Sequence, residues 1–264
     1  MRLAINHLTE YTLERPCAFV LQEVRLTPAS DAGQRVEAWR VSIEGGAVEA
    51  AFDDHNGNRT MLFSRDGGGG PLRLRAEGVV ETADRAGIAG PHRGFAPLWL
   101  YRRDTPLTAP GERVRALAAS ITPAPDIARL HALMDAVAGA VRYDKSAEPL
   151  MTAEAALEAG KGVCQEQAHV FIAAARLLGH PARYVSAYLF MAEGGGQEAS
   201  HAFAEAHVEG LGWVGFDPAN RQSPDARYVR IAVGLDYHDA APVKGLRFGA
   251  GGAEKLAVNV QVQQ

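Results

Sequence analysis

Apolar and polar residues alternate with a period of two from Leu3 to about Val80. Runs such as RLAINHLTEYTL, FVLQEVRLTP and RVEAWRVSIEGG are separated by clusters of Gly, Pro, Asn and Asp. This pattern is typical of antiparallel strands that bury one face. The HNGN segment at residues 55–58 marks a hairpin, and its Asn-Gly pair favours a type I′ turn. We therefore predict a β-sandwich-like domain over residues 1–90.

The pattern changes in the second half of the chain. Residues 91–110 are rich in Gly, Pro and Arg without a sustained period, which indicates a connector. Helical spacing follows in GERVRALAASI, DIARLHALMDAVAGAVRYD and TAEAALEAG, the last with Thr152 as N-cap and Gly160 as stop. A further helix begins at Cys164 and ends at Gly179, and the strand-like segments ARYVSAYLFM, HAFAEAHVEG, GWVGFDP and KLAVNVQVQQ come after it. Helices followed by a sheet predict an α+β domain over residues 111–264.

Composition narrows the choice of function. The net charge of -4 and the sequence pI of about 6.1 provide no basic stripe, so we expect no nucleic-acid partner. No run of 18 apolar residues predicts a membrane span, and the N-terminus has no apolar core typical of a signal peptide. Two distant cysteines, Cys17 and Cys164, do not resemble a disulfide framework. We expect a cytoplasmic protein with two free thiols.

Cys164 stands at the start of a helical pattern, directly after a Gly-Lys-Gly-Val run. Unpaired N–H groups at a helix N-terminus favour the thiolate, which is the nucleophilic form of cysteine. His201, 37 positions later (201 − 164), is the candidate base. Asp217, 16 positions further on (217 − 201), is the candidate group that orients the imidazole, since an EGLG turn would place both residues at one end of two adjacent strands.

Three segments with these residues resemble a known family. GVCQEQAHVFIAAARLLGHPARYVSAYL and HAFAEAHVEGLGWVGFDPAN are similar to the core of the bacterial transglutaminase-like superfamily, which shares the papain-type Cys/His/Asp constellation. INHLTEYTLERP and the segments after it resemble the β-rich region that precedes that core in bacterial members. The resemblance implies that Cys164, His201 and Asp217 form a catalytic triad. It also implies a helical lobe, which carries the nucleophile, packed on an antiparallel sheet in a papain-like cysteine proteinase fold.

Two positions depart from the family pattern. Phe203 replaces a residue that is usually Trp, and Glu166 replaces one that is commonly Asp. Both changes leave the proposed triad intact.

Acyl transfer also requires an oxyanion stabiliser. The backbone N–H of Cys164 is the first candidate donor, and Gln165 or Tyr143 is the second. Asn220, just after the Asp-Pro pair, is either a partner of the triad or a turn residue, and the turn is favoured.

Other interpretations of the same residues are less favoured. Cys17 lies in a strand-like run without a nearby histidine, which is typical of packing. His169 is expected to be structural. His201, Glu205 and His207 share a strand face that invites a metal interpretation, but no third ligand motif accompanies them and Cys164 would then be unexplained. Gly194–Gly196 is interpreted as a loop at the rim of the site.

The sequence therefore predicts a cysteine-dependent amide hydrolase, a peptidase or amidase that forms a thioester on Cys164. The alternatives are acyl transfer to an amine, as in a transglutaminase, and a non-catalytic module that binds a peptide or assists assembly. The expected partner is a peptide or protein substrate, without a metal or other cofactor. The oligomeric state is left open.

Overall fold

The structure is a computed structural model of the whole chain. It describes residues 1–13, 17–68, 71–147, 150–191, 200–249 and 254–264. The predicted rim loop at Gly194–Gly196 lies outside the described residues. So does the side chain of Cys17, although its backbone is described.

The first 82 residues form long strands, as the alternating pattern predicts. Alternate residues of the sixth strand, among them Leu72, Leu74 and Ala76, are buried, which is the signature of a strand with one face on a core. The strands are β1 (Arg2–Leu13), β2 (Cys17–Thr27), β3 (Gln34–Glu44), β4 (Ala47–Asp53), β5 (Arg59–Gly68) and β6 (Leu72–Thr82).

The second half contains helices first and strands afterwards. A 3-10 helix at Leu98–Arg102 lies in the predicted connector. The helices are α1 (Glu112–Ser120), α2 (Asp126–Ala140), α3 (Ala153–Ala159), α4 (Cys164–Leu177) and α5 (Tyr237–Ala240). The strands are β7 (Ile88–Gly90), β8 (Arg142–Tyr143), β9 (Lys161–Gly162), β10 (Ala182–Leu189), β11 (Ser200–Val208), β12 (Gly212–Phe216), β13 (Tyr228–Gly234), β14 (Val243–Phe248) and β15 (Glu254–Gln263).

Within the described residues, the strands assemble into three larger sheets and one two-stranded parallel pair, β8-β9. Two four-stranded sheets, β15-β1-β6-β3 and β14-β2-β5-β4, share a core to which Phe63 of one and Leu74 of the other contribute. This is the predicted β-sandwich. The third sheet, β13-β10-β11-β12-β7, carries the helical lobe. The molecule is therefore α+β, as predicted.

The two ends of the chain meet in the sandwich. β15 pairs with β1 along the register Ala4↔Gln263 to Leu13↔Glu254, and β14 pairs with β2. The predicted boundary of 111–264 therefore does not fit the last two strands, which complete sheets begun by the first two. At the other boundary, β7 pairs with β12 and extends the third sheet, although residues 1–90 were assigned to the first domain. Local patterns cannot reveal such pairing, because each strand looks the same alone.

Local turn and cap signals were mostly accurate. Thr152 accepts a hydrogen bond from the N–H of Ala155 (3.2 Å), and Gly160 ends α3 with φ of 62°. β4 and β5 form the predicted hairpin, but its turn is not type I′, because Gly57 has positive φ (84°) and Asn56 does not. Instead, Asp54 Oδ1 accepts from the backbone N–H groups of Asn56 and Asn58, each at 2.9 Å, and orders a longer loop.

Helix α4 is the centre of the helical lobe. Residues 166–176 are buried on all sides, which explains their run of Ala with few large side chains: small residues let neighbouring helices and the sheet approach closely. Phe171 stacks on Phe216 of β12 with ring centroids 5.1 Å apart. The polar members of the helix bond to backbone, since Gln167 donates to the carbonyl of Val141 (2.7 Å) and Arg176 to that of Tyr101 (2.9 Å). These contacts hold α4 against the third sheet, the end of α2 and the 3-10 helix.

Within the described parts of the chain, no helix combines the length and the apolar character that crossing a bilayer requires.

Candidate active site

Cys164 is the first residue of α4, as the sequence predicts. The preceding Val163 has extended backbone, and its N–H donates to Oε2 of Glu166 at 2.9 Å, so the Glu side chain closes the first turn. Gly162 allows this close approach, because a Cβ there would lie 2.8 Å from the Cβ of Glu166. The thiol is free and half-buried. Because Cys164 is the first residue of α4, its thiol lies at the helix end where unpaired N–H groups stabilise negative charge.

His201 and Asp217 meet at one end of two neighbouring strands. β11 and β12 run antiparallel with Ala204 opposite Phe216, so the start of β11 lies beside the residue that follows β12. Nε2 of His201 is 2.7 Å from Oδ2 of Asp217, and their side chains are 9% and 0% exposed. The two residues therefore lie at the same end of adjacent antiparallel strands, as predicted from the EGLG turn.

Asp217 is held by several donors. Its Oδ2 also accepts from the side-chain amide of Asn220 and from the hydroxyl of Tyr228, each at 2.8 Å, and its Oδ1 accepts from the N–H of Ala219 at 3.0 Å. Burial, the largest influence, raises the pKa of this carboxyl, but the bonds from His201, Asn220 and Tyr228 outweigh it and the pKa is lowered. Asp217 is therefore an ionised, fully buried acceptor.

The protonation of His201 follows from this arrangement. An ionised carboxylate only accepts, so Nε2 of His201 carries the proton and Nδ1 is left for the thiol. Burial, again the largest influence, lowers the pKa of His201, but hydrogen bonds to Asp217 and Cys164 together with their charges raise it to about 10. His201 is therefore protonated near pH 7, and Cys164 is among the groups that stabilise this form.

The candidate neighbours differ in their positions. Gln165 lines the cavity that contains Cys164 and His201, as an oxyanion donor must. Tyr143 is paired with Gly162, two residues before Cys164, and is 47% exposed. Asn220 contacts Asp217 through its side chain as well as through the turn, so the favoured interpretation as a turn residue alone was incomplete.

Two tyrosines of the site were not predicted in these roles. Tyr228 donates to Asp217 and packs its ring edge-on against His201 (centroids 5.7 Å apart); burial and the nearby Asp217 raise its pKa, so it remains a donor. Tyr184 is fully buried but also lines the cavity, and its pKa is raised well above the usual value by burial and by its neighbours Cys164 and Tyr237. The alternating pattern of a strand indicates which of its residues share a face. Only the order of the strands in the sheet shows which residues of other strands lie beside them.

Glu205 and His207, which suggested a metal site in the sequence, make other contacts in the structure. Glu205 is buried in an ion pair with Arg183 (2.7 Å), and the ring of His207 packs edge-on against Trp213. In the described portion of the chain, no three His, Cys, Asp or Glu side chains converge as metal ligands would. His169 is buried and accepts from the N–H of Tyr237 at 3.2 Å, which suits a structural role.

Sequence comparison places this geometry in a family. Residues 115–218 match the sequence model of the transglutaminase-like superfamily, and residues 3–81 match that of the bacterial transglutaminase-like N-terminal region. The chain contains a transglutaminase-like core, preceded by a bacterial transglutaminase-like N-terminal region. The matched core runs from α1 to just beyond Asp217, so this transglutaminase-like core contains Cys164, His201 and Asp217.

Similar proteins share the whole arrangement of the chain. An uncharacterized protein of Mycobacterium leprae is 28% identical, over 99% of this chain and 98% of its own length. An uncharacterized protein of Mycobacterium tuberculosis is 26% identical, over 99% of this chain and 92% of its own. Among solved structures, a protein of Cytophaga hutchinsonii described as a "putative cysteine protease" superposes with a TM-score of 0.78 at 19% identity, covering 100% of this chain and 90% of that one. That superposition shows a common fold for the sandwich and the core together.

Proposed function

We propose that the protein is a cysteine-dependent hydrolase of peptide or protein amides. The observation that carries the proposal is the position of His201, whose Nε2 is bound to a buried, ionised Asp217 while its other nitrogen is left for the thiol of Cys164. An imidazole held in this way serves as base and then as acid in acyl transfer. The nucleophile stands at a helix start, which suits an anionic sulfur.

In the first half of the reaction, His201 holds the proton of Cys164 and the thiolate attacks the amide carbonyl. The C–S bond forms, and the negative charge moves to the carbonyl oxygen, near the N–H of Cys164 and the side chain of Gln165. Collapse of this intermediate breaks the C–N bond. The proton on His201 passes to the departing amine, and a thioester remains on Cys164.

In the second half, water replaces the amine. His201 accepts a proton from the water as its oxygen attacks the thioester carbonyl. The C–S bond then breaks, the carboxylic acid leaves, and the proton returns to the Cys164–His201 pair. Each cycle therefore consumes one water and releases one acid and one amine.

Alkylation by iodoacetamide tests the activated thiol. In a Cys17→Ser background, which leaves a single thiol, we expect His201→Ala to slow alkylation of Cys164 at pH 7 at least tenfold. His207→Ala, on the same strand but away from Cys164, is the matched control and should react at the wild-type rate. Mass spectrometry measures the alkylation rates. Equal rates for the parent and His201→Ala would show that His201 does not act as the base.

Product analysis separates hydrolysis from the two alternatives. The protein would be incubated with a peptide library, with and without a primary amine, and Cys164→Ala would serve as the inactive control. New carboxyl termini or deamidated glutamines support hydrolysis. New amide bonds to the added amine indicate a transglutaminase, and an unchanged library together with an unactivated thiol indicates a binding module.

The cytoplasmic location stays a prediction, which cell fractionation would test.

A further inference from the structure

The strands at the two ends of the chain form one wall of the cavity that contains Cys164. This active-site cavity has a volume of about 250 Å³. Cys164 and His201 lie on one side, while Thr9 of β1 and both Leu256 and Val258 of β15 lie on the sandwich side. Pockets for drug-sized ligands span about 300–1,000 Å³, so this cavity fits part of a substrate, such as one side chain beside the reacting amide.

Several polar groups that line the cavity, from the sandwich and from β10, are already bonded within the protein. The two ring nitrogens of His7 are hydrogen-bonded to the hydroxyls of Tyr188 (2.6 Å) and Thr9 (2.7 Å). Burial lowers the pKa of His7 to about 4, so it is neutral near pH 7. Ser186 donates to the carbonyl of Ala240 at 2.7 Å. These side chains therefore offer a substrate little beyond their apolar surface.

The lining also lacks formal charge away from the catalytic pair. Among the residues that the structure describes around the active-site cavity there is no Asp, Glu, Lys or Arg. A charged substrate side chain would lose its hydration there without gaining a partner. An uncharged apolar side chain has no such cost.

One face of β15 carries apolar side chains that a substrate side chain in the active-site cavity would contact. Val260 and Val262 of this face pack into the core, and the same face continues along the strand to Val258 and Leu256, which are 41% and 56% exposed. Alternate residues of a strand share a face, so these two apolar side chains continue a core-facing row over the active-site cavity. They are left uncovered where the cavity opens.

We propose that the active-site cavity is a specificity pocket for an apolar substrate side chain, such as Leu or Phe, next to the amide that Cys164 attacks. The inference rests on the proposed function for the identity of the reacting bond. The sandwich then selects the substrate, and the transglutaminase-like core performs the chemistry.

Peptidyl chloromethyl ketones test the pocket, because alkylation reports recognition whether or not amides are hydrolysed. Four probes that differ only in the residue beside the reactive group, namely Leu, Phe, Glu or Lys, would be compared on the Cys17→Ser protein. Each rate constant for modification of Cys164 is divided by the rate constant for iodoacetamide. We expect Leu and Phe to exceed Glu and Lys by at least tenfold, and ratios within threefold would overturn the inference.

Substitutions on β15 locate the selectivity. Val258→Asp places a charge on the cavity face, and Asn259→Asp, one residue away on the opposite face, is the matched control. We expect Val258→Asp to reduce the Leu:Lys rate ratio at least tenfold and Asn259→Asp to leave it unchanged, each probe rate being divided by the iodoacetamide rate of the same variant. Equal ratios in both variants would show that β15 does not form the pocket. His201-independent alkylation, in contrast, would count against the proposed function and leave the probe ratios interpretable.

Discussion

Asp217 shows how a single carboxylate organises the candidate site. It lies fully buried at the end of β12, where the chain turns, and accepts hydrogen bonds from His201, Asn220, Tyr228 and the backbone. Several donors keep it ionised, and the ionised carboxylate in turn holds the proton of His201 on Nε2. The residue thus determines which imidazole nitrogen faces the thiol.

The pH dependence of amide hydrolysis should report this arrangement. His201 must be protonated to donate to the departing amine, so kcat/KM should fall only as the pH rises through the His201 pKa of about 10. Asp217→Asn removes a charge that raises this pKa, so the alkaline limb should move to lower pH while activity falls on the order of 10³-fold or more. A pH profile of kcat/KM for both proteins measures this. An unchanged alkaline limb in Asp217→Asn would mean that another group controls it.

The sequence predicted where the three residues of the candidate triad lie, but it did not predict every side chain that contacts them. The position of Cys164 at a helix start, and of His201 and Asp217 at the same end of two adjacent strands, follows from local signals, namely a Gly-rich entry, a two-residue period and a short turn. Tyr228 was not predicted, because β13 reaches Asp217 only after pairing with β10, which no local pattern encodes.

Strand β11 combines two roles at the element scale. Its first residues carry His201, and four positions further on Glu205 lies fully buried between Arg183 and Arg230, with ion-pair distances of 2.7 Å to each. Arg183 also lies over the ring of Trp213, 4.0 Å from its centroid. Burial raises the pKa of Glu205, but the two guanidinium groups outweigh it and the pKa is lowered. The pattern of alternating residues predicted the strand, but it could not indicate that its charged residue is paired inside the protein.

Removing this carboxylate should destabilise the fold strongly. Glu205→Gln leaves the buried Arg183 without its counter-ion and Arg230 with Asp31 alone, and we expect the free energy of unfolding to fall by about 3–5 kcal/mol. Glu209→Gln, an exposed residue in the following turn, is the control and should change it by less than about 0.5 kcal/mol. Urea denaturation at pH 7 measures both. A loss below about 1 kcal/mol for Glu205→Gln would show that the ion pairs do not stabilise the strand.

The whole molecule is joined through one apolar cluster. Leu3 of β1 and Val260 of β15 pack with Tyr188 of β10 and Ile231 of β13, so strands of the sandwich and of the third sheet share a core. The predicted separation into residues 1–90 and 111–264 therefore divides a molecule whose two parts share this apolar cluster. Sequence patterns reveal which residues are apolar, but not which apolar faces meet.

Native-state hydrogen exchange should therefore show a single unfolding unit. In increasing urea, the slowest amides of β1 and of β10 are expected to converge on the same opening free energy. Val260→Asp places a charge in the shared cluster and should lower both values together by about 3 kcal/mol or more. Asn259→Asp, on the exposed face of the same strand, should lower neither. Separate limits for β1 and β10 in the wild type would contradict this coupling.

The pairing of β15 with β1 also has a consequence for synthesis on the ribosome. Cys164 is translated 90 residues (254 − 164) before the first residue of β15, the strand that contributes Leu256 and Val258 to its cavity. Until β15 has been synthesised, that wall of the cavity is incomplete. Substrate selection of the kind proposed above can begin only when translation has passed that last strand.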